Sequence, residues 1–247
     1  MGAVMKENKF IIYSAGYNCE RYIKLHMDMI QNQTYKNYSH IIVDDASTDG
    51  TYNIIKGMSD ERTISFKNEK NIGPLANIDR YLYSDNKEDI VISVDLDDFL
   101  LHDHVLEILN KVYNDDNIWV THSSFVWLKS REVEGSAYPK NIIDNNLFRE
   151  YSWRAVHPQS FKIFLFDKIN KRDFRLKNGS YICATCDQAI MYPLLEMSSY
   201  HNIKSLETPL YVYNNHNPLN VMKIHKQYQI ECENYIRQLP RYDKITI

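Results

Sequence analysis

Two short apolar runs in the first hundred residues end in carboxylates. Ile41-Ile42-Val43 is followed by Asp44-Asp45, and Val91-Ile92-Ser93-Val94 by Asp95-Leu96-Asp97-Asp98. Alternate residues of an extended segment point the same way, so Asp95 and Asp97 can reach one ion or its waters. Two acidic clusters make a poor bare anion site. They suit a hard divalent cation, which can then bridge to a diphosphate. An isolated D-x-D is more often a solvated turn with an Asp capping a helix. Here the motif ends an apolar strand, where the ligands of open α/β sheets bind.

Other chemistries lose their main support. The seven glycines never fall at G-x-G-x-x-G spacing, and there is no G-K-[ST] phosphate loop and no G-x-S-x-G elbow. Cys183 and Cys186 form one C-x-x-C pair without a second ligand pair, which reads as reduced thiols at a helix start rather than zinc ligands. The net charge of −3 gives no basic field for nucleic acid. No stretch approaches the roughly 20 apolar residues of a membrane span. Residues 1–9 are polar, without a signal-peptide core, and Gly2 lacks the Ser or Thr that myristoylation expects because Lys6 stands there. The expected location is therefore cytoplasmic.

The elements that must position the acids follow from periodicity. Phe10–Tyr13, Ile41–Val43, Ile64–Phe66 and Ile90–Val94 read as buried strands of a mostly parallel sheet. Between them, Asn18 can cap a helix over Glu20–Gln31 with Tyr22, Leu25 and Met29 on one face, and Thr48 or Asp49 a second over Thr51–Gly57. Pro74 opens a third, and His104–Tyr113 is a fourth. Alternation of strand and helix predicts a doubly wound α/β layer. Residues 128–150 read as a polar loop excursion, Asp187–Met197 as a helix that Pro193 kinks or shortens, and Leu206–Tyr213 as a strand. A last helix spans Asn220–Leu239, with a stripe of Val221, Ile224, Tyr228, Cys232, Tyr235 and Leu239. Its polar face is mixed in charge, so the stripe is expected to pack on the domain rather than lie on a membrane. With 44% hydrophobic residues in 247, the chain can bury one sizeable core.

Taken together, the motifs resemble those of the family 2 glycosyltransferases, which have the GT-A fold. Ser14-Ala15-Gly16-Tyr17-Asn18 with Tyr22 looks like their first strand and turn. Ile42-Val43-Asp44-Asp45-Ala46-Ser47-Thr48-Asp49-Gly50-Thr51 is similar to their V-D-D-x-S-x-D-G-T signature, Asn71-x-Gly73 with Asn77 to their N-x-G-x-x-x-N, and Val94-Asp95-Leu96-Asp97-Asp98 to their metal-binding D-x-D-D. The matches fall in family order over residues 9–100. The second half resembles the family more loosely, through His157-Pro158-Gln159-Ser160-Phe161-Lys162, Thr185-Cys186-Asp187-Gln188 and Tyr213-Asn214-Asn215-His216.

The resemblance implies an α/β GT-A domain over residues 1–247, with a mostly parallel central sheet flanked by helices and a C-terminal helical extension. Residues 9–100 would form the nucleotide-binding half, 101–219 the acceptor-binding half and 220–247 the last helix and tail. It implies an inverting, metal-dependent transfer of a sugar from a nucleotide diphosphate, UDP favoured over dTDP and GDP, to an acceptor hydroxyl of a glycan or glycoconjugate. Asp97, with Asp95 assisting and His216 as a further ligand, would hold Mn²⁺ or else Mg²⁺. Asp44 would accept the uracil N3–H, Ala15 and Tyr17 would line that pocket, and Asn71, Asn77, Asp95 and Leu96 would meet the rest of the donor. Asp187 would be the general base and Trp153 and His157 would hold the acceptor. The residues themselves leave structural roles open for each. Asp45, Ser47 and Asp49 are expected to shape the turn and cap the next helix. Two rivals remain at this level. A sugar-1-phosphate nucleotidyltransferase would also pair carboxylates with a metal, but it usually carries a basic Gly-rich loop after its first strand. A non-catalytic sugar-nucleotide-binding domain would bind without turnover.

Overall fold

The computed structural model describes residues 6–218 and 226–246. In chain order these hold β1 (Phe10–Gly16), α1 (Glu20–Gln31), β2 (Tyr38–Asp44), α2 (Thr51–Met58), β3 (Thr63–Lys67), α3 (Pro74–Tyr81), β4 (Ile90–Ser93), β5 (Phe99–Leu100) and α4 (Val105–Tyr113). There follow β6 (Val120–Trp127), β7 (Val133–Glu134), α5 (Lys140–Asp144), β8 (Gln159–Lys162), α6 (Ile163–Asp167), α7 (Cys186–Met197), β9 (Ile203–Tyr213) and α8 (Lys226–Arg237). The expected start of the last helix at Asn220, and Leu219, Val221 and Ile224 with it, lie outside the described residues, as does Gly2.

The strands form one sheet in the order β3-β2-β1-β4-β8-β6-β9-β5, with β7 paired to β6. The expected parallel arrangement holds for β3, β2, β1 and β4 and for β6 with β9. Strand β8 runs against both of its neighbours, so the complete sheet is mixed. Strand order reverses between β1 and β4. The loops leaving the two strands diverge there, which opens a crevice at their carboxyl ends.

Details differ from the sequence reading in instructive ways. Helix α1 has the expected bounds, but its buried face is Ile23, His26, Met27 and Ile30, while Leu25 is 49% exposed. Ile23 and Met27 pack with Ile42, Ile55 and Leu96, and that contact decides the face. Strand β3 is an edge strand with Ile64 exposed, not a buried one. Asn18 does not cap α1. It adopts φ 54° and its side chain accepts from the Thr48 amide at 2.9 Å. Asp49 serves both helices instead, accepting from the Glu20 amide at 3.2 Å and the Thr51 amide at 3.0 Å. Residues 128–150 are not a bare loop, since they contain β7 and α5. Helix α7 runs through Pro193 to Met197.

Helix α8 buries Cys232 and Ile236, and its Tyr228 and Tyr235 pack on the main core. Its apolar face therefore rests on the protein, as expected. No helix among the described residues is long and apolar enough to cross a membrane.

A buried ion pair ties α8 and α7 to the segment after α5. Arg149 donates through Nη2 to Glu196 at 2.8 Å and through Nη1 to the Ile236 carbonyl at 2.5 Å, and the pair's side chains are 2% and 0% exposed. Removing one partner strands the other charge in the core. Arg149→Met is expected to lower unfolding stability by about 3–5 kcal/mol in chemical denaturation. A loss below about 1 kcal/mol would mean that the region relaxes around Glu196.

Candidate active site

The crevice at the β1–β4 switch point is a cleft of about 640 Å³. Gly16 closes β1 against the acidic loop. A Cβ there would meet the Leu96 Cβ at 2.8 Å, so only glycine allows the two loops to lie so close. Ala15 and Tyr17 line one wall, with Asn71 and Asn77 beside them. Asp45 builds this wall from behind. Its carboxylate accepts from the Ile72 and Gly73 amides, both at 2.9 Å, and from Asn68 Nδ2 at 2.8 Å. Asn68 Nδ2 also donates to Asn77 Oδ1 at 2.6 Å. Asp49 has the capping role expected of it, whereas Asp45 does not cap α2 and instead holds the segment that leads into α3.

Asp95 and Asp97 lie on the cleft floor. Burial, then the charge of Asp97, pushes the Asp95 carboxyl up to about 7. Burial raises Asp97 too, opposed by the amide of Asn217, which donates to Asp97 Oδ2 at 2.7 Å. Asp98 is held well above the usual range by burial and by both neighbours. Its carboxylate accepts from the Tyr211 hydroxyl at 2.9 Å and the Asn214 amide at 2.7 Å. Asn214 Nδ2 donates to the Asp97 carbonyl at 3.0 Å. The end of β9 and the turn after it thus clasp the whole acidic loop.

A histidine chain holds the loop from below. Burial lowers the pKa of His26 to about 4 and that of His40 well below its usual value, so both rings are neutral at pH 7. His26 Nδ1 lies 3.0 Å from the Asp98 carbonyl, which can only accept, so Nδ1 carries the proton. Nε2 must then accept from Ser14 Oγ at 3.0 Å, and Ser14 Oγ in turn accepts from His40 Nε2 at 3.0 Å.

On the far side of the cleft are Trp153, His157 and Asp187, with Phe125, Trp127 and Tyr213 above them. Asp187 occupies the first turn of α7, whose N-cap residue is Thr185 and not Asp187. The sequence suggests an ordinary carboxyl kept ionised by the helix N-terminus. Burial instead raises it, against the opposing influence of nearby His157 and of the Gln188 amide. His157 is itself lowered by burial, and it stacks on Tyr211 with centroids 5.0 Å apart. A raised pKa makes a carboxylate a stronger base for proton transfer than an ordinary one.

Three expected site residues do not line the cleft. Asp44 is fully buried; its Oδ1 accepts from the Ser47 amide at 3.1 Å, and its Oδ2 has no hydrogen bond and faces Lys67 Nζ at 3.7 Å. Leu96 is a core side chain, so only its main chain is near the site. His216 is exposed, its amide bonded to Asn214 Oδ1. Among the described residues no three His, Cys, Asp or Glu side chains close on a common point.

The donor set nevertheless fits a divalent ion. Every fixed charge lining the cleft among the described residues is a carboxylate, with no Lys or Arg. A diphosphate could enter only with a cation, and such a cation would offset the burial that raises Asp95 and Asp97 and the charge of Asp97 on Asp95.

Sequence reasoning missed the clasp of Tyr211, Asn214 and Asn217, and also Trp127 and Glu134. No local pattern marks the clasp, because its partners lie more than a hundred residues apart. The Phe-x-Trp end of β6 and the following Val133-Glu134-Gly135 could have signalled a hairpin.

Comparison with known proteins adds to this geometry. A family model described as Glycosyl transferase family 2 matches residues 14–183, more than half of the chain. The chain is similar to Glycosyltransferase GlyA of Streptococcus pneumoniae serotype 4, with 26% identity over 166 residues, covering 65% of this chain and 24% of that one. Its fold is similar to that of S. aureus TarS 1-349 in complex with UDP, with TM-score 0.62, 17% identity, and coverage of 92% of this chain and 64% of that one. It is also similar to mannosyltransferase PcManGT from Pyrobaculum calidifontis in complex with GDP-Man and Mn2+, with TM-score 0.54, 16% identity, and coverage of 83% and 56%. The chain thus spans about a quarter of GlyA and less than two thirds of either solved protein.

Proposed function

Since this chain belongs to glycosyl transferase family 2, we propose that its cleft transfers a sugar from a UDP-sugar to an acceptor hydroxyl of a glycan or glycoconjugate, with inversion at the anomeric carbon. The observation that carries this reading is one cleft that joins a paired-carboxylate floor to a buried carboxylate beside a histidine, with no basic residue lining it among those described.

The donor would lie along Ala15, Tyr17, Asn71 and Asn77. Asp44, with one buried oxygen free of hydrogen bonds, would accept the uracil N3–H, and the main chain at Leu96 would meet the sugar. Asp95 and Asp97 would hold Mn²⁺ or Mg²⁺, with His216 joining them once the turn after β9 folds inward. The ion, when bound, offsets the charge that develops on the departing diphosphate. Trp153 and His157 would set the acceptor over the anomeric carbon. As the acceptor oxygen forms its bond to that carbon and the carbon–phosphate oxygen bond breaks, Asp187 takes the hydroxyl proton. One base and one displacement invert the centre. His157, neutral through burial, is placed to fix the Asp187 carboxylate rather than to compete for the proton. The sheet spans both halves of the chain and is the catalytic unit in this reading.

PcManGT was solved with GDP-Man and Mn2+ and TarS with UDP, which supports a metal and a nucleotide diphosphate here. The test is UDP release from a panel of UDP-sugars with and without Mn²⁺. UDP release that depends on Mn²⁺ and is raised by saccharide acceptors is expected. Release of pyrophosphate from a nucleoside triphosphate and a sugar phosphate would replace this reading with nucleotidyl transfer.

A further inference from the structure

We propose that the rim of the cleft formed by β6, β7 and β9 is a subsite for one uncharged pyranose ring of the acceptor, seated on Trp127 and hydrogen-bonded by Glu134, and closed to anionic acceptors. The inference rests on the transferase reading above and goes beyond it by fixing the class of acceptor.

The site is built, not incidental. Glu134 pairs with Phe125 and Val133 with Val126, which folds β7 back on β6. Gly135 makes that return possible. It sits at φ +135°, and a Cβ there would meet the Ser124 Cα at 2.7 Å and the Ser123 carbonyl at 2.8 Å. The hairpin brings Glu134 Oε2 to 3.0 Å from the Trp127 indole N–H. The indole's one donor is thereby satisfied and its ring orientation set.

Phe125, Trp127 and Tyr213 form a mutual cluster, with centroids 4.9 Å, 5.0 Å and 5.3 Å apart. Trp127 and Tyr213 are only half-buried and both line the cleft. A supported aromatic face offers its negative quadrupole to the C–H face of a sugar ring. The carboxylate beside it has lone pairs for about four hydrogen bonds, of which the indole takes one, so sugar hydroxyls can use the others.

Charge selects against anions. Glu134 and Asp187 both line the cleft, and among the described residues no Lys or Arg lines it with them. A diphosphate at the floor would bring its cation with it. A phosphate or uronate seated on Trp127 would face the Glu134 carboxylate with no Lys or Arg among the described cleft-lining residues to offset it, since Lys129 and Arg131 of the β6–β7 turn are exposed and do not line the cleft, and such opposition is how sites reject a wrong partner.

The experiment uses the full chain with UDP and Mn²⁺ and compares p-nitrophenyl glucoside, galactoside and N-acetylglucosaminide with p-nitrophenyl glucuronide, read by saturation-transfer NMR. At least one neutral glycoside is expected to bind about tenfold or more tighter than the glucuronide. Trp127→Leu is expected to weaken that binding about tenfold, the scale of one lost aromatic contact. Glu134→Lys, a change at an exposed position, is expected to reverse the charge preference. The thermal shift given by UDP and Mn²⁺ tells whether each variant keeps its donor half. Equal binding of glucuronide, no binding of any neutral glycoside, or unchanged binding by a Trp127→Leu protein that still responds to UDP would each overturn the subsite while leaving the transferase reading standing. Absence of any response of the unsubstituted protein to UDP and Mn²⁺ would remove both.

Discussion

Asp187→Asn is expected to lower sugar transfer by about 10³-fold while leaving UDP-sugar binding within about twofold, because it keeps the shape of the side chain and removes only the proton acceptor. The Asp187 carboxylate is buried near His157, and burial holds its pKa above the ordinary carboxylate range. The sign of the pH dependence follows. The base works when ionised, so the rate falls as pH drops through that raised pKa, and the fall begins at a higher pH than a solvent-exposed Asp would give. Steady-state transfer from pH 5 to 8, with donor affinity measured by calorimetry, checks both parts. Transfer by the asparagine variant at the normal rate would take Asp187 out of the reaction.

Asp97→Asn is expected to separate stability from function. In the metal-free protein burial raises all three carboxyls, and the charge of Asp97 repels and further raises Asp95 and Asp98. Removing one charge relieves that repulsion, so the metal-free variant should melt at the same temperature or a higher one. If Asp97 ligates the ion as proposed, the same change is expected to weaken Mn²⁺ binding by at least about 10-fold and transfer by about 10³-fold. Melting curves with and without Mn²⁺ decide the matter. If the variant melted lower without metal and kept its Mn²⁺ response, Asp97 would be a structural residue and not a ligand.

How far the site could be read from residues alone depended on how local its determinants are. The floor of the cleft was legible because Asp95 and Asp97 end a short apolar strand, and the β1–β4 switch point places such an end at a crevice. Helix α1 was legible in extent but not in face, since Tyr22, Leu25 and Met29 have the same spacing as the buried residues. Only the contacts with Ile42, Ile55 and Leu96 distinguish the two. Asn18 looked like a cap because of its type, yet a residue at φ 54° cannot also hold the ordinary capping geometry. The second half was opaque for a different reason. Strands β7 and β8 are short, and β8 runs against both neighbours. Glu134 is exposed, so no apolar periodicity marks β7. Burial reversed one expectation outright, since Asp187 carries a raised pKa where the helix N-terminus suggested an ordinary one.

The clasp on the acidic loop bears on how the working protein comes into being. Asp98 is gripped by Tyr211 and Asn214, which follow it by 113 and 116 residues, and Asn217 reaches Asp97 across 120. A chain emerging from the ribosome can lay down β1 to β4 early, but the carboxylates of Asp97 and Asp98 stay unfastened until β9 and the turn after it have been made and have docked. An amino-terminal half cut off before β9 would therefore leave Asp97 and Asp98 without these partners.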